Sequence, residues 1–159
     1  MLMLYYIITD KNVIIIRNRW CNTSVPPTQE DLNLMCRDIQ LLDNSIRFVG
    51  IANNLGSLIG KAYRNSLIPL MDENETSHYS IQAVLRAATR QDFESKIGRL
   101  EYSIGKYERL IRATVPIRVN LDEESKFYLL LSFDLKSAAL EVIEDKVFRF
   151  IQENKENFV

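Results

Sequence analysis

The 159 residues hold one histidine, His78, so a Ser-His-Asp relay or a His-rich metal site has almost nothing to draw on. Asp72, Glu73 and Glu75 stand just before it. Oxygens so grouped could hold a hard cation, but an acidic loop is ordinarily solvated, and no metal is expected here. Gly50, Gly56 and Gly60 make no phosphate cradle, because neither Gly-Lys-Ser/Thr nor GxGxxG follows a strand. Gly56 reads as a turn residue instead. Cys21 and Cys36 are 15 positions apart, which is neither a redox motif nor half of a zinc site. Cys36 falls in an apolar helical pattern and reads as a buried thiol, and both cysteines fit a reducing cytoplasm. No nucleophile or base has a recognisable partner. The expectation is a protein that binds and does not catalyse, with no catalytic residue and no cofactor.

What remains is recognition chemistry. Arg86 and Arg90 are one helical turn apart, a spacing that could clamp a phosphate or carboxylate, but with Asp92 and Glu94 nearby the preferred reading is a plain solvated pair. Turned at 100° per residue, they share a face with Tyr79, Ala83 and Phe93. That face lies opposite an apolar stripe of Ile81, Val84, Leu85 and Ala88, which is the expected core side. Aromatic and small residues on an outward face call for a second packing partner, either the protein's own terminus or another subunit.

Composition narrows that partner. Hydrophobic residues at 47% and charged residues at 26% are the balance of one ordinary globular domain. A net charge of −1 lacks the basic excess of nucleic-acid binders. The charge is uneven, with 8 basic and 4 acidic residues over 86–118 but 5 and 9 over 119–159. Blocks of this kind usually mark solvated faces. The apolar start, Met1 to Ile8, has no preceding basic residue and is far shorter than the ~20 residues of a membrane span. Thr9-Asp10-Lys11-Asn12 separates it from Val13-Ile14-Ile15-Ile16, so residues 1–24 form either a β-hairpin or a loose extension. Residues 25–159 form the single domain.

The elements that must position these side chains follow from periodicity. Thr28 and Asp31 make a capping box, and Leu32, Met35, Cys36, Ile39 and Leu42 give one helical face up to Asp43. Ile46 to Ala52 is an apolar strand, Asn53-Asn54-Leu55-Gly56 a turn, and Ser57 to Tyr63 the returning strand. After a connection over 65–76, a helix is expected from about Thr76 to Ile97, closed by Gly98. Arg99 to Ile104 is a strand, Gly105-Lys106 a turn, and Glu108 to Val119 an alternating strand with Pro116 marking a bulge or edge. Phe127 to Phe133 is apolar throughout, as a strand covered on both faces should be. An amphipathic helix from Ser137 to about Asn154 ends the chain, its core face carrying Leu140, Ile143, Val147, Phe150 and Ile151.

Central strands need helices on both sides, and polar strands suit the edges. The expected fold is therefore α/β (α+β): a five-stranded antiparallel sheet in the order 2-1-5-4-3, flanked by three helices. This order, the Asn53-Asn54-Leu55-Gly56 turn, and the closing Phe127–Asp134 and Ser137–Ile143 segments resemble the roadblock (dynein light chain) domains among the profilin-like folds. A second likeness, in Ile46–Ile51, Gln82–Arg86, Phe93, Gly98 and Arg99, is to an uncharacterised protein family of ammonia-oxidising archaea, one with no established activity. The Roadblock resemblance implies a homodimer joined through the third strand and second helix, and a regulatory role that often involves small GTPases. It makes Tyr79, Ala83, Arg86, Arg90, Phe93 and Tyr102 the interface candidates. The long 65–76 loop and the N-terminal segment depart from that pattern. An alternative of another class is a small-ligand sensor resembling PAS-type domains, which share the sheet order. It requires a cavity lined by residues such as Phe48, Tyr128 and Leu130.

Overall fold

The computed structural model describes residues 27–118 and 126–158, the latter with backbone alone at 156 and 157, and the strand backbones β1 (Tyr5–Thr9) and β2 (Asn12–Ile16). β1 and β2 pair antiparallel in a sheet of their own, Tyr5 opposite Ile16 and Thr9 opposite Asn12.

The first helix, α1 (Gln29–Gln40), opens on the Thr28–Asp31 box. Asp31 N–H donates to Thr28 Oγ1 at 3.2 Å, and Thr28 N–H donates to Asp31 Oδ2 at 2.9 Å. Its Leu32, Met35, Cys36 and Ile39 are buried against the sheet. Strands β3 (Ile46–Asn53) and β4 (Leu58–Tyr63) form the hairpin read from the sequence. Asn53 Oδ1 accepts from the N–H of Leu55 and of Ser57, and Gly56 takes the positive φ of 81°. Only glycine fits there, since a Cβ would stand 2.5 Å from Ile81 Cα.

After the hairpin come α2 (Glu73–Gln91), a single turn α3 (Glu94–Ile97), β5 (Ser103–Lys106), β6 (Ile111–Ile117) and β7 (Phe127–Phe133). The closing helix runs through α4 (Ala139–Glu141), a π segment over Val142–Val147 and α5 (Phe148–Glu153). The five strands stand in the order β4-β3-β7-β6-β5, every neighbour antiparallel. Counted along the domain that is 2-1-5-4-3, the expected order. α1 and the closing helix cover one face with the larger core, and α2 covers the other with a smaller cluster around Ala83, Val84, Ala87, Tyr128 and Leu130.

Several expectations need correction. The second helix begins at Glu73, three residues before Thr76, because Asp72 caps it: Glu75 N–H donates to Asp72 Oδ1 at 2.8 Å. The acidic residues before His78 are thus the helix's own cap and first turn. The helix breaks after Gln91 and resumes as α3, and Gly98 at φ 89° ends that turn. Gly105 and Lys106 lie within β5, and the turn falls at Tyr107–Leu110, where Tyr107 N–H donates to the Leu110 carbonyl at 2.9 Å. The side of α2 that meets the sheet is Ser80, Ala83, Val84 and Ala87, while Ile81 and Leu85 are 51% and 63% exposed. In the closing helix Val142 is buried and Leu140 is exposed. β5 pairs with β6 only as far as Thr114, so Pro116 sits where β6 is locally an edge among the described residues.

Candidate functional site

Two edges end the five-stranded sheet, and they differ in chemistry. β4 runs beside α1, whose side chains bond to its outer backbone groups. β5 ends the sheet on the other side, and no strand among the described residues pairs with its far edge. α2 lies on one face of the sheet over β6 and β7, and Ile81 and Leu85 are turned to solvent, Ile81 on the side of the β3–β4 hairpin. Leu55, on the hairpin turn that packs against Ile81, is 77% exposed, and Phe93 and Ile97 beyond the helix are 62% and 82% exposed.

Two of the open grooves beside α2 stand near its ends. One, about 490 Å³, is lined by Leu70, Met71, Tyr79, Tyr107, Leu110 and Arg112, among others. The Arg112 guanidinium stands 3.7 Å from the Tyr79 ring centroid, and its Nη2 is 2.7 Å from Met71 Sδ. The other groove, about 500 Å³, is lined by Arg90, Phe93, Ile97, Arg99, Leu100 and Tyr102, among others. Beside it, Glu94 accepts from Arg118 Nη2 and from the N–H of Leu100, one of the lining residues.

The six interface candidates do not share one surface. Arg90, Phe93 and Tyr102 border the second groove and Tyr79 the first. Arg86 is exposed between them, its Nη1 donating to Gln82 Oε1 at 3.4 Å. Tyr102 packs its ring on Phe148, on the sheet face away from α2, and donates its hydroxyl to Glu144 at 2.7 Å. That bond raises the Tyr102 pKa, since a carboxylate acceptor favours the protonated phenol. Ala83 is corrected from outward to inward: it is 2% exposed, pressed between α2 and the sheet. The outward side chains that sequence reasoning assigned to the core are Ile81 and Leu85. The available signal was the recurrence of small residues at 80, 83 and 87, which lets a helix lie close to a sheet already carrying Phe48, Tyr128 and Leu130.

In place of the cavity that a ligand sensor requires there is a half-open pocket of about 40 Å³, lined by Phe48, Tyr79, Leu130 and their neighbours. It has room for a few waters, against the several hundred Å³ of small-molecule sites. Among the described residues, no three or more of His, Cys, Asp and Glu group in a way that could hold a metal. No helix there is long and apolar enough to cross a membrane.

No family model matches the chain, and no curated protein matches it in sequence. Solved structures do match in fold. MglB of Myxococcus xanthus is similar with a TM-score of 0.62 and 15% identity, over 82% of this chain and 89% of that one. Gliding protein MglB of Thermus thermophilus is similar at 0.59 and 14%, over 84% and 95%. A Roadblock/LC7 domain from Streptomyces avermitilis is similar at 0.57 and 7%, over 77% and 96%. What the chain shares with them is the fold, an open five-stranded antiparallel sheet of the Roadblock/LC7 type with helices on both faces.

Proposed function

We propose that the chain is a non-catalytic interaction and regulatory module of Roadblock type, working as a homodimer joined through β5 and the outward side of α2. The observation that carries this reading is the unequal finish of the sheet: one edge covered by α1, the other, β5, open near exposed Phe93 and Ile97. Four residues of β5 supply only a few backbone hydrogen bonds, each worth about 1 kcal/mol net, so apolar contact must add most of the affinity. Antiparallel pairing of β5 with a second copy about a two-fold axis sets the Tyr107 end of one against the Tyr102 end of the other. The groove holding Tyr79 and Arg112 then meets Phe93 and Ile97 of the second copy. Arg86, Arg90 and Tyr102 border the same contact, and Ala83 acts from behind by fixing how closely α2 lies on the sheet.

The Roadblock resemblance extends the proposal to a small GTPase or another regulatory protein as the dimer's partner, in a cytoplasmic setting, with neither nucleic acid nor membrane involved. The archaeal likeness at Ile46–Ile51 and Gln82–Arg86 belongs to the same proposal.

Sedimentation equilibrium at micromolar concentration tests the dimer. The parent is expected at twice the chain mass. Phe93→Asp with Ile97→Asp is expected to weaken association roughly 30- to 100-fold, the equivalent of about 2–3 kcal/mol of lost apolar burial. Both side chains are exposed in the single chain, so the variant keeps its circular dichroism. A parent that sediments as a monomer throughout the micromolar range sinks the proposal.

A further inference from the structure

Gln29, Asn33 and Arg37 are spaced four residues apart on α1 and so form one row along the helix. All three reach the outer edge of β4. Gln29 Nε2 donates to the Ile59 carbonyl, Lys61 N–H donates to Asn33 Oδ1 at 2.9 Å, and Arg37 Nη1 donates to the Tyr63 carbonyl at 3.1 Å. Lys61 and Tyr63 turn their backbone polar groups away from β3, and Ile59, the extra residue where the register shifts, offers its carbonyl to Gln29. The alternate set faces it, as the Arg64 N–H bond to the Arg47 carbonyl at 2.9 Å confirms.

The match is one of length. Four helical residues rise about 6 Å and two strand residues about 6.7 Å, so a helix lying along a strand presents one side chain to each outward backbone position for a few steps. Gly60 lets the helix come close enough, because a Cβ there would stand 2.8 Å from Leu32 Cβ. The last member is braced in turn: Arg37 Nη2 donates to Asn65 Oδ1 at 2.6 Å.

We infer that this row is a built-in substitute for a neighbouring strand. It occupies the pairing edge of β4, so the sheet accepts another copy of the chain at β5 alone. The physical stake is closure. Were both edges open, β4 of one copy could pair with β5 of the next, a head-to-tail contact that leaves a free edge on each copy and grows without limit. With β4 occupied, two-fold pairing at β5 uses every open edge and assembly stops. The blocking role does not depend on the dimer proposed above, since it applies to a monomer equally.

The test is the variant Gln29→Ala, Asn33→Ala, Arg37→Ala. Alanine is the best helix former and the buried side of α1 is untouched, so the fold should persist. Its weight-average mass by sedimentation is expected to rise with concentration, to about twofold or more above the parent. Adding Lys61→Pro removes the outward N–H itself and should return the mass to the parent value. A triple variant with native circular dichroism and the parent's mass throughout overturns the inference. A monomeric parent whose triple variant associates upholds it while refuting the β5 dimer; a dimeric parent with an unchanged variant does the reverse. Should the triple variant fail to fold, Asn33→Ala alone carries the test. Lys61 amide exchange should then accelerate about tenfold or more, while Gly60 and Ala62 keep their protection. Unchanged exchange at Lys61 overturns the inference as well.

Discussion

Asp43 sits where α1 has ended and β3 is about to begin, and three donors converge on it. Lys146 Nζ reaches Oδ2 at 2.7 Å, while the Ser45 N–H and hydroxyl reach Oδ1 at 2.9 and 2.6 Å. The Lys146 bond, then those from Ser45, hold its pKa down from 3.8 to about 2. Asp134 is held low too, first by Arg64, whose guanidinium grips both its oxygens at 2.6 and 3.1 Å, and then by Arg47. A carboxyl lowered on folding stabilises the native state above its unfolded pKa, and that contribution is lost as pH falls through the folded value. Asp43→Asn should therefore cost about 1 kcal/mol near neutrality, a figure kept small by the half-exposed lysine. The gap between parent and variant in urea unfolding should close between pH 3.8 and about 2. A gap that is constant across that range contradicts the assignment. Cys36 shows the opposite effect: burial pushes its thiol up to about 12, which leaves an inert core side chain, as its place in the α1 pattern implies.

Among the elements, α2 is where sequence and structure part most clearly. Its large residues Ile81 and Leu85 were the natural choice for a core stripe, yet Ser80, Ala83, Val84 and Ala87 meet the sheet. Volume is the reason. Phe48, Tyr128 and Leu130 fill that layer from the sheet side, and Ser80 Oγ donates to the Gly56 carbonyl at 2.7 Å, so the helix must lie close. Ala83→Leu should accordingly lower the free energy of unfolding by about 1–3 kcal/mol through overpacking. An outward Ala83 would show a change within about 0.5 kcal/mol, so denaturant titration separates the two placements. α1 behaved otherwise: its capping box and buried face were legible, because the pattern and the cap are both local. The polar row Gln29, Asn33 and Arg37 was equally present in the sequence. It acquired meaning only once β4 lay alongside it.

At the scale of the molecule, two layers of helix on a five-stranded sheet make cores of unequal depth. The deeper one, under α1 and the closing helix, is sealed by Phe158, which is 1% exposed and stacks near Phe127 with ring centroids 6.2 Å apart. Phe158→Ala should cost about 3–5 kcal/mol, the usual penalty for emptying an aromatic site in a packed core. In a thermal melt this would appear as a drop of many degrees, whereas a merely frayed terminus would leave the midpoint in place. The shallower layer under α2 leaves Ile81 outside by the β3–β4 hairpin, and Phe93 and Ile97 outside near the open β5 edge. The proposed dimer uses the β5 edge, and the α1 row covers the opposite edge.

By itself the sequence determined the number and kind of the core elements, the hairpin at Asn53–Gly56, the central position of β3 and β7, and hence the strand order. Those features rest on short-range patterns: period, turn chemistry and apolar runs that only a doubly covered strand tolerates. The tertiary structure alone decided which side of α2 faces inward, which sheet edge is covered, and how five of the six candidate residues divide between two grooves and the interior while Arg86 stays exposed between the grooves. Each of these depends on the distance between elements remote in sequence. That distance is set by the volumes of side chains on both partners, which no single helix or strand encodes.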